Sequence, residues 1–224
     1  IGGFKQVRVL ATSSGAISTR NWEFATGTAG APNYATNWRP YTGGNTLSAN
    51  TFIPTSFANG AKYNTSFGGA SGLLPAITSG NYYTFNVSNN GTADNVMQLL
   101  ETSFNPVTIS SVSQAAGANG SRTITITTSV TPNASENIYV RYSTNSYTSS
   151  TILQATGTGT AWTATIPAQS LAVSFYVYTS NKSKAEIDAD VTTHGQGVHD
   201  MSTLNLNNNS GSNYSYFPIN VTST

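Results

Sequence analysis

Four alternating segments between Ser121 and Ser180 constrain the fold more than any other feature. They are SRTITITTSV, ENIYVRYSTN, TAWTATIPAQ and LAVSFYVYTS. In each, apolar and polar residues alternate with a period of two, and Gly, Pro, Asn or Ser bounds the run. Successive side chains of a strand point to opposite faces, so this pattern predicts half-buried β-strands. The four runs read as the core of a β-sandwich.

The composition agrees. Ser, Thr and Asn make up well over a third of the 224 residues, and charged residues only 8%. Thr and Tyr suit strands, while Asn, Ser and Gly suit turns. No segment carries a long apolar repeat at helical spacing. The expected fold is all-β, with two β-sandwich units in tandem, residues 1–106 and 107–224. The boundary falls at Pro106 in SFNPVTISSVSQ and reads as a short, stiff junction.

In the first unit, FKQVRVLA (4–11), RNWEFAT (20–26), TFIPTSF (51–57), AKYNTSF (61–67), NYYTFNV (81–87) and NVMQLLE (95–101) read as strands. The last two are joined by SNNGTAD, a hairpin loop. Residues 26–46 read as one long loop carrying Tyr34, Trp38 and Tyr41. In the second unit, 107–112 begins a strand and AAGANG turns into the four core runs. Residues 181–203 read as a charged, solvated loop containing Lys182 and Lys184. NYSYFPINV (213–221) reads as a final strand, placed at a sheet edge by Pro218.

The net charge is +1 and there is no basic cluster, which excludes a nucleic-acid partner. There is no cysteine, so disulfides and a catalytic thiol are excluded. No apolar run approaches the roughly 20 residues of a membrane-spanning helix. The Ser/Thr/Asn-rich, Lys/Glu-poor makeup reads as that of an exported bacterial protein, and the start at Ile1 as either a processed N-terminus or the edge of a longer chain.

At ENIYVRYSTNSYTSSTI, TATIPAQSLAVSFYVYTSN, DAD and LNLNNNSGSNYSY the chain resembles a fibronectin-III-like, starch-binding-like β-sandwich module. Such modules occur in multi-modular secreted proteins of the Bacteroidetes. GNYYTFNVSNN and LLETSFNPVTISSVS resemble the end of a module that commonly precedes it. The resemblance spans about residues 80–220. HGQGVHDM (194–201) departs from it as an insertion, and residues 1–79 carry none of it. The resemblance implies a secreted, non-catalytic accessory module with no fixed ligand.

Candidate sites lie at the margins of this scaffold. Trp22, Tyr34, Trp38, Arg39 and Tyr41 combine flat rings with polar neighbours. Sugar rings offer apolar C–H faces to such rings and hydroxyls to such neighbours, so this is the expected glycan or partner surface. Trp162 and the alternating tyrosines of the core strands are expected to pack. Glu186, Asp188 and Asp190 alternate, and an extended chain would place their carboxylates together for a structural Ca²⁺. His194 and His199 are five apart and lack the spacing of a zinc-protease helix. No other cofactor is implied.

Catalysis finds no constellation. Glu23, Asp94 and Glu101 form no visible glycosidase pair, no G-x-S-x-G elbow occurs, and GGASG (68–72) lacks the lysine of a phosphate loop. The expected function is therefore non-catalytic: an extracellular glycan-binding or adhesive module pair. Its partner would be a polysaccharide. The competing expectation is a structural subunit of a filament, sheath or surface layer, partnered by further subunits through terminal strands. A polysaccharide-active enzyme ranks third.

Overall fold

A computed structural model describes residues 4–15, 24–28, 31–38, 52–54, 77–88 and 96–218. The fold is all-β, built from antiparallel sheets, with two short α-helices among the described residues. The chain divides into two compact units, Ile1–Ser103 and Phe104–Thr224.

The first unit contains β1 (Phe4–Leu10), β2 (Phe24–Thr28), β3 (Ala31–Trp38), β4 (Phe52–Pro54), β5 (Tyr82–Ser88) and β6 (Val96–Thr102). Four of them form a sheet in the order β1-β5-β6-β4. β5 and β6 pair in register from Tyr82↔Thr102 to Ser88↔Val96, as their hairpin spacing predicts. On one face Tyr83, Phe85 and Leu99 cluster with Ala11. The other face is polar yet buried at Thr84, Asn86 and Gln98. There Gln6 donates to Asn86 Oδ1 at 2.9 Å, and Arg8 Nε donates to Thr84 Oγ1 at 2.9 Å.

The predicted long loop at 26–46 needs correcting, because residues 31–38 form a strand paired with β2. Tyr34, Thr36 and Trp38 already alternate at strand spacing. The neighbouring Asn33 and Asn37 mimic turn chemistry and hide that pattern. The expected strand at 61–67 lies outside the described residues.

The second unit contains β7 (Ile109–Ala116), β8 (Arg122–Thr128), β9 (Asn137–Ser143), β10 (Thr151–Gln154), β11 (Thr156–Thr158), β12 (Ala161–Ile166), β13 (Val173–Ser180), α1 (Lys184–His194), α2 (Val198–Met201), β14 (Asn205–Asn207) and β15 (Tyr214–Tyr216). All four core runs are strands. One sheet has the order β11-β12-β8-β7; the other is β10-β9-β13-β14, with β15 also on β13. Ile124, Ile126, Ala164 and Ile166 from the first sheet meet Ile138, Val140, Phe175 and Val177 from the second in one core. The alternation selects these side chains, and burying each isoleucine, valine or phenylalanine contributes about 1.5–3 kcal/mol.

The outer face of the second sheet is also buried, and here the solvated loop of the sequence reading is overturned. Residues 184–194 are helical. The helix starts at a capping box: Ser183 Oγ accepts from Glu186 N–H, and Glu186 Oε2 accepts from Ser183 N–H at 2.8 Å. Two orphan donors are satisfied at once, worth about 1 kcal/mol. Ile187 is fully buried and Val191 packs beside it, against Tyr139, Tyr176 and Tyr178. Lys182 is buried and bonds Asp190, so it is no solvated loop cation. The apolar stripe is two residues long, too short for a periodicity argument.

β14 and β15 are one edge strand interrupted at 208–213. Both run antiparallel to β13, from Thr179↔Asn205 to Val173↔Tyr216. Asn209, Ser210 and Asn213 take positive φ in the interruption. Asn205 and Asn207 donate to the carbonyls of Val107 and Ile109, tying this edge to the other sheet. Interrupting and covering an edge in this way blunts pairing with other chains. Among the described residues no helix is long and apolar enough to cross a membrane.

Candidate functional site

The second unit carries an open cleft of about 380 Å³, within the size range of small-molecule sites. Three separate stretches build it: residues 131–138 leading into β9, residues 154–159 from β10 into β11, and Trp162 on β12. β11 and β12 form a hairpin whose two-residue turn is Gly159-Thr160. Gly159 has φ +58°, which favours glycine. Its carbonyl accepts from Trp162 Nε1 at 3.1 Å and fixes the indole. Gly157 lies opposite Trp162. A Cβ there would come within 2.1 Å of the Ala161 carbonyl oxygen, so the close approach requires glycine.

Trp162 is half-buried: it rests against the core and also lines the cleft. Around it stand Thr131, Asn133, Asn137, Gln154 and Thr158. Gln154 Nε2 donates to Asn137 Oδ1 at 2.9 Å, and Asn137 Nδ2 donates to the Lys182 carbonyl at 3.2 Å. Among the described residues Glu136 is the one ionisable group in the lining. It is buried, and both carboxylate oxygens accept from the Val107 N–H. The wall therefore combines amides, hydroxyls and one flat ring with the apolar Pro132, Ala134, Ile138 and Ala155.

A second cluster lies under α1 and α2. Arg141 is 2% exposed. Its Nε donates to Ser150 Oγ at 2.8 Å, Nη1 to the Tyr176 hydroxyl at 2.7 Å, and Nη2 to the Gln196 carbonyl at 3.0 Å. Asp200 stands 3.6 Å from Nη1 and accepts from the Tyr176 hydroxyl at 3.0 Å. The guanidinium also lies 4.9 Å from the Tyr147 ring centre. Burial raises the Asp200 carboxyl above its usual range, while Arg141 opposes that rise. Burial likewise pushes the Tyr176 and Tyr178 hydroxyls well up. His199 sits 3.4 Å from the Tyr178 hydroxyl, and burial, then Arg141 and Lys184, lower its pKa to about 3. This packed network fastens the helices to the sheet.

The predicted sites fare differently. Tyr34 and Trp38 lie on β3, with Trp38 in register with Phe24. Trp22, Arg39 and Tyr41 lie outside the described residues, as do Glu23 and Asp94. The Ca²⁺ geometry is corrected. On a helix Asp188 points away from the side shared by Glu186 and Asp190. Glu186 is held by Ser183, Asp188 by Lys184 and Asp190 by Lys182. No metal-holding group of three or more His, Cys, Asp or Glu residues occurs among the described residues. Glu101 accepts from the Tyr83 hydroxyl and Asn81 Nδ2, both at 2.7 Å.

The core tyrosines pack, as expected. Trp162 packs only on one side, and its cleft was missed. The local signal was the Gly-Thr-Gly-Thr-Ala-Trp hairpin, which presents a ring beside a tight turn.

The class these features define is an all-β protein of antiparallel sheets, whose α-helices among the described residues lie in one connection. No family model, curated protein or solved structure matches the chain.

Proposed function

We propose that this chain is a non-catalytic, extracellular glycan-binding or adhesive module pair, two β-sandwich units in tandem with the second fibronectin-III-like. The strand orders of the second unit support the fold part. Read as A to G, β7-β8-β12-β11 is A-B-E-D and β10-β9-β13-β14 is C′-C-F-G, the order of immunoglobulin-type sandwiches with a C′ strand added. The helical segment then occupies the F–G connection, where the insertion HGQGVHDM falls.

The observation that carries the function is the Trp162 cleft. Its ring suits the apolar face of a sugar, and its amides and hydroxyls suit the hydroxyls. Trp162→Leu is expected to weaken binding to a retained polysaccharide at least tenfold in an affinity gel, about 1.4 kcal/mol. Gln154→Ala, at an exposed position, should weaken it severalfold with an unchanged thermal melt. Trp38→Ala and Tyr41→Ala in the same gel report on the first unit. Absence of retention across a broad polysaccharide panel would overturn the proposal.

One observation favours the structural-subunit reading. β1 lies at the edge of its sheet and exposes Val7 and Val9. Polymers seen by negative-stain microscopy in a chain that binds no glycan would favour that reading.

A further inference from the structure

We infer that the Trp162 cleft selects uncharged sugars and discriminates against uronate-rich or sulfated chains, an inference that rests on the glycan-binding reading above. The ground is the chemistry of the wall. An anionic glycan needs a cation or a set of aligned donors to replace the water around its carboxylates or sulfates. Among the described residues the cleft offers no lysine, arginine or histidine. Its single ionisable group, Glu136, is an acid, and its carboxylate is spent on the Val107 N–H. Bringing a second carboxylate near it adds like-charge repulsion.

A neutral pyranose meets no such obstacle. Each hydroxyl both donates and accepts, and a side-chain amide does the same through its nitrogen and oxygen. Asn133 Oδ1 is taken by the Ser135 N–H at 3.0 Å, and Gln154 Nε2 gives one bond to Asn137. Among the described residues, Asn133 Nδ2 and Gln154 Oε1 make no further bond. The Asn133 Nδ2 donor and the Gln154 Oε1 acceptor therefore remain for hydroxyls, beside the Thr131 and Thr158 side chains and the Trp162 ring that also line the cleft. The Asn137 bond to the Lys182 carbonyl fixes its side of the cleft to the chain entering α1.

The test uses the whole chain in affinity gels containing one polymer each. The neutral set is β-glucan, xylan, galactomannan and starch; the anionic set is polygalacturonate, alginate and chondroitin sulfate. Each gel is run at 50 and 500 mM NaCl. The expected result is retention by at least one neutral polymer, at least tenfold stronger than by any anionic one. That retention should be unchanged by salt, since no counterions are released, and reduced in both Trp162→Leu and Gln154→Ala. Equal or stronger retention by an anionic polymer overturns the selectivity while leaving glycan binding intact. Neutral retention that neither variant reduces removes the cleft from the binding. Retention by nothing overturns both readings.

Discussion

Replacing Arg141 with methionine is expected to lower the unfolding free energy of the second unit by about 3 kcal/mol, a large share of a stability that for most domains is about 5–15 kcal/mol. The loss has identifiable parts. Methionine keeps much of the stem's packing, so cavity formation is a minor cost. What disappears is the guanidinium, which answers Ser150, Tyr176 and Gln196 and faces Asp200. Each partner left unsatisfied in a buried place costs about 1–3 kcal/mol. The Asp200 side chain keeps 14% of its exposure and its bond from Tyr176. Water therefore relieves part of the cost, which sets the estimate at the low end for a broken buried pair.

Urea unfolding followed by tryptophan fluorescence is the measurement. With a typical slope of about 1–3 kcal/mol per molar, the midpoint should fall by about 1–3 M. Asp200→Asn is the matched control: it removes the charge but keeps an acceptor for Tyr176, and should cost about 1 kcal/mol. An Arg141→Met loss below that of Asp200→Asn would show that the network does not fasten the helices.

Arg141 also shows where sequence legibility ends. In ENIYVRYSTN the alternation marks Ile138, Val140 and Tyr142 as one face, and that face is the core. The same alternation puts Tyr139, Arg141 and Ser143 on the opposite face, where tyrosines are expected to pack and an arginine is unremarkable. They are buried because a segment more than 40 residues later, Ser183–Leu204, folds back over them. Its helix has no long apolar stripe; its legible signal was the capping box at Ser183 and Glu186, which a search for 3.6-residue periodicity passes over.

The cleft was hidden for a related reason. Trp162 sits in an alternating strand and reads as core. The amides that make its other surroundings polar come from residues 131–138 and 154–159. Local pattern fixes strands and their faces. It does not say which loops meet at one end, and a binding wall is a statement about such meetings.

Acid is expected to destabilise the second unit through His199. An unfolded histidine titrates near 6.5, whereas the folded His199 titrates at about 3. Between those values the unfolded chain binds a proton that the folded one refuses, so stability falls as pH falls. The contribution is fully present above pH 6.5, and its loss is complete at about pH 3. The slope from one such group is at most about 1.4 kcal/mol per pH unit. From pH 6.5 to 4.5 the loss should thus approach about 2–3 kcal/mol.

Two other groups modify the curve. The Glu186 carboxyl is lowered by its bonds from the Ser183 hydroxyl and N–H. It therefore adds to the acid loss as it protonates. Asp200 is raised by burial, so the folded state takes up that proton first and offsets part of the loss at the acid end. His199→Gln retains a polar group opposite the Tyr178 hydroxyl and cannot titrate. Urea midpoints for this variant should change little between pH 7 and 5, while those of the parent drop by about 1 M. Parallel curves for the two would mean that His199 takes up its proton as readily in the folded chain as in the unfolded one.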